Sequence, residues 1–367
     1  VAYAALQENN AIAVVDLTTA TVQDIWALGF KDHAAEGNGL DASDRDPEGA
    51  STINIDTYPY PGLFGMYQPD GMDSYAADGH TFLVTANEGD AREWGDYVEP
   101  ERVKDLDVCE DSPVAGLTGD EDLGRLEVTT ELGFDETEDC YSSLYAHGAR
   151  SFSIWTTSGT LVFDSGDDFE QITALAAPGS FNFSNDDNDA DDFDSRSDAK
   201  GPEPEGVVIG EVGERTYAFI GLERVGGVMV YDITTPLATK FVTYINNRDV
   251  SVDAESAAAG DLGPEGLAFV AAEDSPTGEP ALIVGNEVSG TTTVFGITDL
   301  LAPETTEIQV LTINDFHGRL EGDSYGVAGA AVIGGAVADF EAANPNTLFV
   351  SAGDNIGAST FTSASQD

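Results

Sequence analysis

Apolar residues along this chain fall in short runs separated by glycine, asparagine and acidic turns. VAYAALQE (1–8), NAIAVVDL (10–17), TFLVTANE (81–88), TYAFIGLE (216–223), GGVMVYDI (226–233), ALIVGNE (281–287) and GTTTVFGI (290–297) each read as a strand. ARSFSIWTTSGTLVFDSG reads as a hairpin turning at Ser158-Gly159. Helical spacing is scarce before residue 327. After Pro303 the character changes: EIQVLTINDFHGRLE is a strand running into a polar turn. VAGAAVIGGAVADFEAANP has helical spacing and stops at Asn344-Pro345, and TLFVSAGDN is a second strand. Strand, helix and strand in that order predict a β-α-β unit, the opening of an α/β domain with a parallel sheet.

The strands repeat. Pro69-Asp70-Gly71, Pro204-Glu205-Gly206 and Pro264-Glu265-Gly266 each open a strand that turns into a second one ending in glutamate, at Glu88, Glu223 and Glu287. The acid-to-glutamate spacings are 18, 18 and 22 residues. The opening segment fits the same frame from its second strand onward, ending at Glu8. Such strands at blade-like intervals predict a mainly β fold, a β-propeller over residues 1–300, and the count of repeats fits the later blades of a larger one. Residues 301–307 then form a linker and 308–367 the start of the α/β domain. Two insertions, 95–143 and 176–204, interrupt the repeat. With no signal peptide at the start and an abrupt end, both termini are expected to be cut from a longer precursor.

Composition narrows the choice of partners. Apolar residues make up 41%, enough for a real core, and no run of 18 apolar residues offers a membrane span. Only 14 Lys and Arg face 68 Asp and Glu, a formal net charge of −54, which excludes a nucleic-acid backbone or anionic membrane as the default partner. Self-repulsion on that scale calls for bound cations or a saline medium. Cys109 and Cys140 could close a loop worth about 3 to 4 kcal/mol, and pairing would imply an oxidising, extracellular setting. The alternative is two unpaired thiols.

If the first two strands of each repeat form a hairpin, Asp70 neighbours Glu88, Glu205 neighbours Glu223, and Glu265 neighbours Glu287, ringing one mouth of a central channel. Packed carboxylates need protons, arginines or metal, and hard oxygen ligands suit calcium or magnesium. Turn-capping and acid–base catalysis are the other readings of the same acids. Asp187 to Asp198 places Asp187, Asp189 and Asp191 at the first, third and fifth positions of an EF-hand-like loop, with Asp198 at the twelfth. The sixth position holds Asp192 instead of glycine, and no helices flank it. It is therefore either a calcium-ordered loop or a solvated acidic one. Asp315-Phe316-His317 at the end of one strand and Gly353-Asp354 at the end of the next could hold two metal ions, the clamp used for phosphoester hydrolysis.

LTINDFHGRLE and LFVSAGDNIGAS resemble the first two motifs of secreted 5′-nucleotidases, within the calcineurin-like metallophosphoesterases. The resemblance covers about 60 residues. It implies that Asp315 and His317 bind one metal (zinc, manganese or iron) and that Asp354 bridges two. The family's later Asn-His motif and further histidines are absent; His33, His80 and His147 all lie in the repeat region. The first 300 residues resemble the choice-of-anchor I domain, on LQENNAIAVVDL, GLDASDRD, TANEGDARE, ARSFSIW, DSRSDAKGPEPEG and IGLERVGGVMVYDI among others. Together these resemblances imply a secreted phosphoesterase acting on a nucleotide or other phosphate ester, carrying a calcium-stabilised propeller. One alternative is a non-catalytic module for surface anchoring or binding. Another is a phytase-like propeller enzyme that uses the acidic channel with Arg92, Arg150 or Arg224 as phosphate-binding groups.

Overall fold

The computed structural model describes residues 1–46, 52–55, 60–185, 188, 192–298, 308–317, 320–322, 328–353 and 355. The chain divides into two units, Val1–Asp299 and Leu300–Asp367.

The first unit is mainly β and built from small sheets that do not close into a barrel. Four are antiparallel meanders. Sheet I holds Ala2–Leu6, Ala11–Asp16 and Thr21–Ala27. Sheet II holds Met72–Ala77, His80–Asn87, Ser151–Thr156 and Leu161–Asp164. Sheet III holds Pro204–Val212, Arg215–Leu222, Val228–Asp232 and Lys240–Ile245. Sheet IV holds Pro264–Val270, Ala281–Asn286 and Thr291–Gly296.

Successive sheets are glued face to face by their alternating apolar residues. Ile12, Leu83 and Trp155 join sheets I and II. Phe152, Ile154, Ile220, Met229 and Tyr231 join II and III, and Phe219, Val230, Leu282 and Val284 join III and IV. Burying an aromatic side chain of this size removes roughly 150–250 Å² from water. The repeated glycine has a physical reason here. A Cβ on Gly71 would lie 2.4 Å from the Glu205 carbonyl oxygen, and one on Gly206 would lie 2.2 Å from that of Glu265. Gly71 N also donates to Glu205 O at 2.8 Å. Only glycine lets the first strands of sheets II, III and IV approach so closely, and that approach lines up the acids beside them.

The Ser158-Gly159 hairpin forms as its sequence suggested. Its strands complete sheet II, with Ser151–Thr156 pairing antiparallel to the His80–Asn87 strand. Asn87 Nδ2 fixes the join, donating to Ser151 Oγ at 3.1 Å and Ser153 Oγ at 2.7 Å. Residues 88–150 are thus one long excursion from within a sheet. Three of its short strands, Pro100–Arg102, Glu127–Thr129 and Leu144–Ala146, form a five-stranded sheet with Phe30–Asp32 and Leu63–Met66, in which Leu63–Met66 and Leu144–Ala146 run parallel. Leu40, Val103, Leu123, Leu126, Val128 and Leu144 form its own core. Cys109 and Cys140 are bonded to each other in this excursion, with Cα atoms 5.1 Å apart.

Among the described residues before 327, one α-helix stands out, the nine-residue Asp168–Ala176. Phe169 buries its ring with Phe152 and Tyr231, and Tyr231 Oη donates to Asp168 Oδ2 at 2.9 Å. In the second unit, Gln309–Ile313 and Thr347–Ser351 are parallel neighbours, with the helix Ala330–Ala343 between them in sequence. The helix ends where the residue before Pro345 disfavours helical backbone. No described residue of that helix is buried.

Candidate functional site

The acids that open and close the repeats converge. Carboxylate oxygens of Glu205, Glu223 and Glu287 lie within 4.8 Å of one another, and so do those of Glu88, Glu203 and Glu223. Glu205 also feels the charges of Asp70 and Glu265. The bulges at Pro204/Val207 and Pro264/Gly266 interrupt the ladder where each acid sits, which turns these side chains out of the strand alternation.

The two groups differ electrostatically. The Glu88–Glu203–Glu223 side is compensated by basic residues. Lys200 meets Glu88 at 2.5 Å and Glu203 at 2.8 Å, Arg196 meets Glu203 at 2.5 Å, and Arg224 meets Glu203 at 3.3 Å and Glu223 at 3.2 Å. Burial pushes the Glu203 carboxyl up, but Lys200, Arg196 and Arg224 outweigh it and hold the group below the usual value. Burial alone would lower the Lys200 ammonium, yet Glu203 and Glu88 raise it to about 12.

The Glu205–Glu223–Glu287 side has such a neighbour only at Glu223, through Arg224, among the described residues. Among the described residues no Lys or Arg forms an ion pair with Asp70, Glu205, Glu265 or Glu287, and Glu205 Oε2 is buried without a hydrogen-bond partner. Burial, then the charges of Glu223 and Glu88, raise Glu205 to about 9. Burial and Glu203 raise Glu223 to about 7 against the pull of Arg224. A carboxylate held this way accepts either a proton or a hard cation.

Beside the cluster lies a cavity of about 460 Å³ lined by Glu8, Asp90, Trp94, His147, Arg196 and Lys200, among others. Burial lowers the His147 imidazole.

The remaining sequence candidates are scattered. Arg92 grips Glu99 through Nε and Nη2 at 2.8 and 2.9 Å. Arg150 is buried, donating to Glu170 Oε1 at 2.7 Å and to the carbonyls of Asp41, Ser197 and Ala199. Only Arg224 stands with the acids. Asp198 pairs with Arg102 at 2.6 Å and Arg125 at 2.7 Å, and Asp187, Asp189 and Asp191 lie outside the described residues. In the second unit His317 Nε2 lies 3.8 Å from Asp315 Oδ1, and Asp315 N donates to Gly353 O at 3.3 Å; Asp354 lies outside the described residues. Sequence reasoning missed Glu203, Lys200 and Arg196. The only signal was a cluster of basic residues inside an otherwise acidic stretch.

The pattern of the choice-of-anchor I domain matches residues 1–236, nearly two thirds of the chain. The chain belongs to the choice-of-anchor I family. A choice-of-anchor I chain of this kind has animal relatives. It is 33% identical over 193 residues to Gigasin-3a of Magallana gigas, covering 49% of this chain and 66% of that protein. It is 32% identical over 243 residues to the mesenchyme-specific cell surface glycoprotein of Strongylocentrotus purpuratus, covering 57% of this chain and 30% of that protein. The choice-of-anchor I chain thus spans less than two thirds of either relative. A solved structure of a functionally unknown protein from Desulfotomaculum acetoxidans covers 80% of this chain and 79% of its own, at 11% identity and a TM-score of 0.21, which is too low to argue from.

Proposed function

We propose that this chain is part of an extracellular, surface-associated protein whose first unit is a propeller-type binding module, with calcium held by Glu205, Glu223 and Glu287. The observation that carries the metal is the buried, unpartnered Glu205 Oε2 in a carboxylate triad with no lysine or arginine on Glu205 or Glu287. The setting is supported by family membership, by a relative named as a cell surface glycoprotein, and by the Cys109–Cys140 bond, a device of oxidising compartments. Among the described residues no helix is long and apolar enough to cross a membrane.

Two measurements test this reading. Surface labelling of intact source cells, with analysis of the medium, should recover the protein outside; recovery in the cytosol alone would overturn the location. Calcium added to chelated protein at low salt should raise the melting temperature, and Glu205→Gln should remove part of that gain. No gain in the wild type would overturn the metal.

A second reading rests on Asp315 and His317, set together at the end of a parallel strand. In a protein that supplied further ligands, these two and Asp354 would hold metal that activates water for attack on a phosphate ester. This chain alone carries too few ligands and should not hydrolyse nucleotides with manganese or zinc supplied. Hydrolysis that survives Asp315→Ala would move any active site into the first unit.

A further inference from the structure

Three aspartates from segments far apart in sequence meet in the interior of the first unit. Asp41, Asp46 and Asp194 are 1%, 3% and 0% exposed, and one oxygen of each lies within 4.8 Å of the others. Nothing in the repeat pattern brings them together, and they lie outside the acid cluster described above. We propose that Asp41, Asp46 and Asp194 form a buried calcium site that ties the segment at 41–46 to the segment at 192–199.

The hydrogen bonds leave oxygens over. Asp41 Oδ2 accepts from Asn54 N at 2.6 Å, Asp46 Oδ2 from Asn54 Nδ2 at 2.5 Å, and Asp194 Oδ1 from Ser197 Oγ at 2.5 Å. Asp46 Oδ1 and Asp194 Oδ2 are buried with no partner. A third orphan is independent of the three acids. Asn182 is fully buried, and its Nδ2 donates to Glu170 Oε1 and to the same Ser197 Oγ that bonds Asp194, while its Oδ1 has no partner.

Among the described residues no Lys or Arg forms an ion pair with Asp41, Asp46 or Asp194. Arg150 directs its donors to Glu170 and to backbone carbonyls, that of Asp41 among them. Arg125 and Arg45 pair with Asp44, and Arg102 and Arg125 pair with Asp198. With Glu170 paired to Arg150, the three buried carboxylates have no ion-pair partner among the described residues, and lone ionised groups are strongly disfavoured in a protein interior. Burial and the charge of Glu170 raise the Asp41 carboxyl, and burial and the charge of Asp41 raise that of Asp194. Carboxylate and amide oxygens from separate loops suit calcium, with its loose coordination, better than magnesium, which demands near-octahedral geometry.

Calcium counted by native mass spectrometry on chelated and recalcified full-length chain tests the site. Asp194→Asn should carry one calcium fewer than wild type, and magnesium at tenfold excess should not restore it. Glu205→Gln reports on the other site, so the two losses are separable. Hydrogen exchange on the wild type guards against a variant that fails to fold: calcium should protect the amides of 40–46 and 192–199. Equal calcium counts in wild type and a folded Asp194→Asn, or no protection at those two segments, would overturn the proposal.

Discussion

Glu203→Gln tests how the acid cluster is held together. The Glu203 carboxylate is fully buried, and Arg196, Lys200 and Arg224 all converge on it. The amide keeps the shape and removes the charge. Lys200 would still have Glu88 and Arg224 would still have Glu223, but Arg196 has no second ion pair among the described residues. Removing one member of a buried pair costs about 3–5 kcal/mol, and the two surviving contacts argue for the lower end, about 3 kcal/mol at pH 7. The pH dependence carries the sign. The folded carboxyl sits below its ordinary value of 4.5, so its contribution is present above that value and lost as pH falls through the folded value. Urea unfolding of chelated wild type and variant, followed by tryptophan fluorescence at pH 7 and below pH 4, should show a gap that narrows in acid. A gap under about 0.5 kcal/mol at pH 7, or one of equal size at both pH values, would refute the reasoning.

Three further outcomes are expected. Replacing Cys109 and Cys140 by serine should cost about 3–4 kcal/mol, and intact-mass analysis of wild type alkylated without reductant should find no labelled thiol. Because Glu205 is raised to about 9 in the fold, its contribution is complete below 4.5 and disappears as pH climbs to 9; the melting temperature of chelated protein should therefore fall over that window, and Glu205→Gln should flatten the slope. Phe152→Ala opens a cavity between sheets II and III beside Tyr231 and Phe169 and should cost about 3–5 kcal/mol by denaturant titration, with Leu175→Ala, on an exposed residue, as the near-neutral control.

What the sequence disclosed follows from which constraints are local. The Pro-acid-Gly repeats were visible because close approach of neighbouring strands admits only glycine at Gly71 and Gly206, whereas a Cβ on Gly266, in the last sheet, would meet open space. The acids beside them followed from hairpin geometry. Lys200 and Arg196 were hidden because they lie in a stretch without apolar periodicity, so only tertiary packing aims them at Glu203. Arg150 looked like a ligand-binding group because sequence cannot distinguish an exposed guanidinium from one bonded to three buried carbonyls. The Asp168–Ala176 helix was missed for its brevity and its flanking acids. The Ser158-Gly159 hairpin was legible, but its pairing with the His80–Asn87 strand was not, because that partner lies some 60 residues upstream.

That interrupted sheet bears on the order in which the molecule assembles. Sheet III can form from neighbouring hairpins, whereas sheet II cannot add its inner Ser151–Thr156 strand until the ends of residues 88–150 have met. The Cys109–Cys140 bond short-circuits about half of that excursion. Shortening a flexible loop by half lowers its closure penalty by about 0.6 kcal/mol, and the excursion's own core at Leu123 and Val128 shortens the search further. Oxidation before the final strand docks would then act as a timing step: chains oxidised early reach a finished sheet II, and chains kept reduced leave the edge of His80–Asn87 open to pairing with another molecule.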